Sequence, residues 1–190
     1  MTVNEPMTVA TDYLLAVFAT AFGIRLWRGG SREWALAFFA TAAASLFGGT
    51  YHGLAWEPLW KPTVYTVGVA SLFLLAALGR VLMLFGIAKF VVYAIWMWRH
   101  DDFKYVIYDS GLTLLVVAIV AAFRRNWWIV GGVAVSVVAA LVQQSGFALH
   151  RHFNHNDLYH LIQIVALWLL YRGGLRLTTT ARARSTSPPT

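Results

Sequence analysis

Seven long apolar runs, at about 10–27, 33–55, 62–79, 82–98, 103–123, 126–145 and 155–172, constrain this chain more than any motif in it. A helix needs about 20 apolar residues to cross the roughly 30 Å hydrocarbon core of a bilayer, and each run is close to that length. Backbone inside lipid has to satisfy its own hydrogen bonds, so runs of this kind are helices. The expected architecture is all-α: a polytopic membrane protein built as a seven-transmembrane helix bundle. Composition agrees, with 59% hydrophobic and 12% charged residues against roughly 45–50% and about 25% in a soluble domain. Seven spans use roughly 140 of the 190 residues, which leaves no room for a separate soluble domain.

Most of the breaks are plain. Arg28 to Arg32, Glu57-Pro58 with Lys61-Pro62, Arg99 to Asp102, Arg124 to Asn126, and the polar stretch from Gln143 to Asn156 each interrupt the hydropathy. Between spans three and four, Gly79-Arg80 and Gly86 both offer a turn, and the expected one is near Arg80. The membrane domain then covers 1–177. The Thr-, Arg-, Ser- and Pro-rich segment 178–190 is expected to be a disordered cytoplasmic tail.

Orientation follows from basic residues in short loops, which accumulate on the cytoplasmic side. With the amino terminus outside, the inner turns and tail hold Arg25, Arg28, Arg32, Arg80, Arg124, Arg125, Arg172, Arg176, Arg182 and Arg184. The outer loops hold only Lys61, Arg99, Lys104 and Arg151, with Lys89 left inside span four. The expectation is amino terminus outside, carboxyl terminus inside, in a bacterial inner membrane. The first nine residues lack a basic stretch, so span one reads as a retained helix and not a cleaved signal. Trp27, Trp34, Trp56, Trp60, Trp98, Trp127 and Trp128 lie near span borders, where indole rings favour the headgroup layer. The net charge of +7 is spread over short turns and does not form the solvated patch that nucleic-acid binding requires. The absence of cysteine removes disulfides, thiolate metal sites and cysteine nucleophiles.

On this map all six histidines fall at the outer side: His52 ends span two, His100 ends span four, His150, His152 and His155 lie in the last outer loop, and His160 opens span seven. Asp109 enters span five from the same side and Asp157 lies one turn before His160. Ionisable groups in a membrane are costly unless they face a cavity or a partner, so a one-sided cluster marks a candidate site. The plain alternatives are that His100, His150 and His152 are solvated loop residues. Asn154 or Asn156 is equally readable as the N-cap of span seven, with Asp157 favoured by the positive helix end. Lys89, in mid-span, calls for an internal partner that the sequence does not name.

His52 and His160 are expected to share a site. His52 sits in Gly48-Gly49-Thr50-Tyr51-His52-Gly53, and the Gly49-x-x-x-Gly53 spacing lets another helix come close. Around His160, the residues Asn156, Asp157, His160 and Gln163 are spaced to form one polar helix stripe, with His155 able to bend in from the cap. Imidazoles with a carboxylate suit Zn²⁺, so His52, His155 and His160 are the candidate metal ligands. Asp109 and Asp157 are the candidate catalytic carboxylates that move the proton of an attacking water. The reaction class is hydrolysis of an amide or ester in a membrane lipid, which is thereby substrate or ligand. No His-Glu-x-x-His, Gly-rich phosphate loop or Gly-x-Ser-x-Gly is present.

Seven spans with a His at the outer end of span two and another one turn into span seven resemble the superfamily of intramembrane zinc hydrolases that includes alkaline ceramidases and the adiponectin and progestin receptors. The segments 48–53 and 155–160 are also similar to those of an uncharacterised family of bacterial membrane proteins near it. By position, the resemblance makes His52 and His160 metal ligands. Gly48 stands where the superfamily has a Ser, Asn156 where span seven has its first His, and Trp60-Lys61-Pro62 where span three opens on a carboxylate. The alternative is a seven-helix binding or sensing protein without turnover. Haem ligation by paired histidines is a further alternative, whereas a retinal receptor lacks its span-seven Lys and a transporter lacks visible repeats.

Overall fold

The computed structural model describes residues 3–150 and 153–185, with side chains to residue 177. It is all-helical: α1 (Pro6–Gly29), α2 (Arg32–Leu54), α3 (Trp60–Ala76), α4 (Arg80–Arg99), α5 (Lys104–Phe123), α6 (Trp127–Ser145) and α7 (His155–Ser185), with a single 3-10 turn at Glu57–Leu59 before α3. Each of the seven is long and apolar enough to cross a membrane, α3 together with its 3-10 turn as Glu57–Ala76 and α7 over His155–Leu177. The tail expected to be disordered, 178–190, lies outside the residues whose side chains are described, as does His152.

The helices end where the sequence supplies an end. Gly30, at φ 90°, closes α1 in the left-handed region with its N–H on the carbonyls of Leu26 and Trp27. Gly79, at φ 138°, separates α3 from α4 in a conformation that a side chain would strain, so the turn falls at Gly79-Arg80 and Gly86 stays helical. At Gly86 an added Cβ would instead meet Leu75 at 3.2 Å, so that glycine serves the packing of α3 on α4.

α1 packs between α2 and α7; α2 continues to α3, α3 to α5, α5 to α6, and α6 back to α7. These six helices form a ring. α4 lies outside it, against α3 and only lightly against α5. Leu15, Phe22, Leu26, Phe38, Val117, Ile129 and Leu167 fill the ring from five helices, while Val64, Tyr93, Met97 and Val106 join α3, α4 and α5. Tyr93 Oη donates to the Val64 carbonyl at 2.9 Å, which satisfies the one polar atom of that second cluster's tyrosine.

One end of the ring is pinned by backbone carbonyls of α7. Ser31 Oγ donates to the Gly174 carbonyl at 3.1 Å and Asn126 Nδ2 to the Gly173 carbonyl at 3.0 Å. Both glycines let neighbours approach. A Cβ at Gly173 would collide with Ile129 Cγ1 and lie 3.1 Å from the Ile129 backbone nitrogen. Because backbone cannot rotate aside, Gly173→Ala is expected to force α6 from α7 and lower stability by about 1–3 kcal/mol or more. Thermal unfolding in detergent measures it; an unchanged midpoint would mean that the two helices are not this close.

Candidate functional site

The other end of the ring gathers most of the buried ionisable groups of α1 and α7. On α1, Thr8, Thr11 and Asp12 are spaced i, i+3, i+4 and share a face; on α7, Asp157 and His160 are one turn apart and meet it. Thr8 Oγ1 donates to Asp157 Oδ1 at 2.9 Å, Thr11 Oγ1 and His160 Nδ1 are 3.0 Å apart, and His160 Nε2 lies 3.2 Å from Asp12 Oδ1. All of these residues are buried, Asp157 at 1% exposure. α2 closes the third side. Gly49 sits where a Cβ would be 2.8 Å from Asp12 Cβ, and Gly48 faces the Asp12 carboxyl. The glycine spacing does receive a helix, and that helix is α1.

His52 approaches the cluster from α2, with its Nδ1 3.3 Å from Glu5 Oε2, at the N-cap of α1. The backbone N–H of Asn4 donates to the Gly53 carbonyl at 3.1 Å, which ties the segment carrying Glu5 to the end of α2. The expected meeting of His52 and His160 is not seen as a contact: His160 is held by Asp12 and Thr11, and His52 by Glu5. Asp12 was not among the expected residues, although a carboxylate inside the first apolar run satisfies the same rule that singles out the histidines.

The other expected residues are placed differently. Asp157 has both oxygens engaged: besides Thr8, it accepts from the Asn154 N–H at 2.7 Å, while Asn154 Oδ1 accepts from the N–H groups of Asn156 and Asp157 at 2.8 and 3.3 Å. This is a capping box at the start of α7, so Asp157 holds α7 to α1 and fixes its first turn. Asn156 and Gln163 turn to α6, towards Gln143 and Ser136, and the expected polar stripe is divided between two neighbours. His155 is half-buried at the first position of α7, and among the described residues it forms no hydrogen bond or ion pair with His52 or His160. Asp109 is the partner of Lys89: the ammonium bonds to its Oδ1 and to its backbone carbonyl. The internal partner that mid-span Lys89 requires is therefore the carboxylate first placed beside the imidazoles. His100 stacks on Trp96 with ring centroids 4.1 Å apart and pairs with the Trp96 carbonyl, at the end of α4.

Proton counting constrains what the central pair can do. Thr11 has one hydroxyl hydrogen and lies 3.0 and 3.1 Å from the carbonyls of Met7 and Thr8. When that hydrogen stays on its own helix, Thr11 accepts from His160 Nδ1–H, and Nε2 is left with a lone pair. A lone pair and a carboxylate oxygen 3.2 Å apart need a cation between them, either a proton or a metal ion. The separation is also close to the roughly 3.3 Å between two ligands on a tetrahedral ion with bonds near 2.0 Å. His52 repeats the pattern, with Nδ1 on a carboxylate and Nε2 left over. Metal-bound histidines are commonly held in this way through their second nitrogen. Asp12 and His160 are thus a pair of donors at ion-sharing distance, whereas among the described residues no three His, Asp or Glu side chains are grouped so that they could hold a metal ion.

A model of a family of unknown function, DUF6962, matches residues 7–179, and the chain belongs to that family. The match takes in α2 to α6 and most of α1 and α7, and with them Thr8, Thr11, Asp12, His52, Asp157 and His160, while Glu5 lies before it. No curated protein and no solved structure matches the chain.

Proposed function

We propose that this member of DUF6962 is a multi-pass protein of the bacterial inner membrane that hydrolyses an amide or ester bond of a membrane lipid at the α1–α2–α7 cluster. It is, on this reading, a divergent relative of the intramembrane hydrolases that its His52 and His160 resemble. Its amino terminus is outside, because ten arginines on the opposite side face four basic residues in the outer loops. The cluster then lies at the outer end of the bundle. The observation that carries the reading is the buried pair His160 Nε2 and Asp12 Oδ1, 3.2 Å apart, which calls for a cation between two acceptors.

Asp12, His160 and His52 are the residues that would hold the ion, and zinc there would supply a water of lowered pKa and polarise a carbonyl oxygen. The rest is done by the chain. Thr11 fixes the His160 tautomer and Glu5 that of His52. Glu5, with its side chain 43% exposed, has Oε1 left over to accept the proton of the attacking water and return it to the leaving group. Asp157 is a positioning residue, since its oxygens already bond Thr8 and the Asn154 N–H.

Elemental analysis of the full chain purified in mild detergent tests this. About one zinc per chain is expected in the wild type, with loss in Asp12→Asn and His160→Ala and retention in Thr50→Val, a contact of Tyr13 outside the cluster. Wild-type protein that stays metal-free after zinc loading overturns the hydrolase. A proton then joins Asp12 and His160, and the second reading, a binding or sensing protein without turnover, takes its place.

A further inference from the structure

The end of the bundle opposite the cluster carries a second feature, independent of the reading above. Between the last turns of α1 and the first turns of α2 lies a groove of about 320 Å³, lined by Ile24, Trp27, Arg28, Leu36 and Phe39. The sequence builds it on a glycine. A Cβ at Gly23 would stand 2.7 Å from Phe39 Cε1, so the Phe39 ring lies against α1 at that gap and forms the floor. Trp27, one turn further along α1 and with its ring centroid 6.5 Å from that of Phe39, forms a wall. Ile24 is 40% exposed and Trp27 47%, on a face that meets lipid in a bilayer.

The mouth of the groove is positive and has no counter-charge. Arg28 lines it, and the Arg32 guanidinium lies 5.7 Å from the centroid of the Trp27 ring. Both arginines are exposed, and among the described residues neither forms an ion pair. Glu33, the nearest acid in sequence, is turned roughly 100° around α2 from Arg32 and is in no ion pair either. Other arginines at this end are engaged within the chain: Arg124 donates to the Leu78 carbonyl at 2.8 Å, and Arg172 lies over Trp128 and Trp168. Phe39 is seven residues along α2 from Arg32, about 10 Å towards the membrane centre. The headgroup layer is roughly 5–7 Å thick. With the helix ends at the membrane surface, the two guanidinium groups sit at the level of lipid phosphates, and the apolar floor reaches into the hydrocarbon.

We propose that this groove binds one anionic phospholipid, of which phosphatidylglycerol is the simplest case. Its phosphodiester accepts from Arg28 and Arg32, the charge-assisted pairing for which a guanidinium is shaped, and one acyl chain runs over Phe39 between Ile24 and Leu36. Charge complementarity selects the occupant: two cations without an anion at the mouth, and an apolar trough below them. An uncharged lipid leaves both arginines unpaired. Phosphatidylcholine offers the same phosphate but brings a quaternary ammonium close to the same two cations.

The test uses the full chain in phosphatidylcholine nanodiscs that contain a minor fraction of phosphatidylglycerol with a photoreactive acyl chain, and maps the labelled peptides by mass spectrometry. Wild-type protein is expected to be labelled within 24–39. Arg28→Gln and Arg32→Gln should each lower that labelling about fivefold, and Leu36→Trp, which fills the groove and leaves both arginines in place, should lower it as well. Arg80→Gln removes one positive charge from the same end of the bundle, away from the groove, and should leave the labelling unchanged. Photoreactive phosphatidylcholine should label the segment weakly and equally in every variant. Phosphatidylglycerol labelling that survives both Arg28→Gln and Leu36→Trp overturns the proposal, as does labelling that falls as far with Arg80→Gln, which would mean diffuse attraction to the basic end. Wild-type labelling as strong with phosphatidylcholine, or a cross-link from this segment to a second copy of the chain in place of lipid, overturns it too.

Discussion

Lys89→Met should be the most damaging single substitution outside the α1–α2–α7 cluster, lowering stability by about 3–5 kcal/mol. The reason is the carboxylate left behind. Asp109 is 5% exposed on its side chain, one of its oxygens is already without a partner, and removal of the ammonium strands a charge in low dielectric. Replacing both partners is another matter, because a buried pair exchanged for apolar side chains is often neutral or stabilising. Lys89→Met/Asp109→Leu is accordingly expected to recover most of the loss. The comparison pair is Lys104 and Asp102, 2.5 Å apart with both side chains about half exposed; there Lys104→Ala should leave the unfolding midpoint unchanged, since screened surface pairs contribute little. Thermal unfolding in detergent gives all three values, and a Lys89→Met protein as stable as wild type would show that the pair is wet.

That pair also shows where the sequence stops being legible. Seven helices, the turn at Gly79-Arg80 and the N-cap of α7 can be read from hydropathy, glycine and Asn-x-x-Asp spacing because those are local properties. Partnership across helices is not local. Lys89 and Asp109 are at unequal distances from the turn at 100–103, about ten residues and six, so counting back from the turn does not pair them, yet the ammonium bonds both the carboxylate and the carbonyl of Asp109. His52 and His160 are likewise each tied to the α1 segment, His160 through Asp12 and His52 through the N-cap residue Glu5. Histidines stand out in an apolar chain, and attention to them leaves a single carboxylate in the first run unremarked. Its adjacency to Thr8 and Thr11 at helical spacing is the signal that marks it: three polar side chains on one face of an otherwise lipid-like helix need a polar partner, and α7 is the helix with one to give.

The glycines of α2 make that arrangement testable at its weakest point. At Gly49 a new Cβ would meet Asp12 Cβ at 2.8 Å and the Tyr13 ring at 3.0 Å. Asp12 Cβ is fixed to the α1 backbone, so the helix itself has to move and carries the carboxyl away from His160. Gly49→Ala is expected to lose about 1–3 kcal/mol of stability and, if the proposed zinc is bound, to lose it as well. At Gly53 the obstacle is Val9 Cγ2 at 2.9 Å, one bond further from the α1 backbone than Asp12 Cβ, so a smaller displacement of α1 makes room and a smaller effect follows. At Gly48 the nearest atoms are Thr63 Cγ2 at 3.5 Å and Asp12 Oδ2 at 3.8 Å, ordinary contacts, so Gly48→Ala should be silent. Unfolding midpoints and metal content across the series check the order 48, 53, 49, and Gly48→Ala as harmful as Gly49→Ala would contradict it. Gly48→Ser carries the argument one step further. Its hydroxyl would reach the Asp12 carboxyl from the position at which the resembling hydrolases place their serine, so this substitution should be accepted, with a hydrogen bond gained. The same residue at 49 should break the contact between α1 and α2, because there the space is already taken by the carbon that positions Asp12.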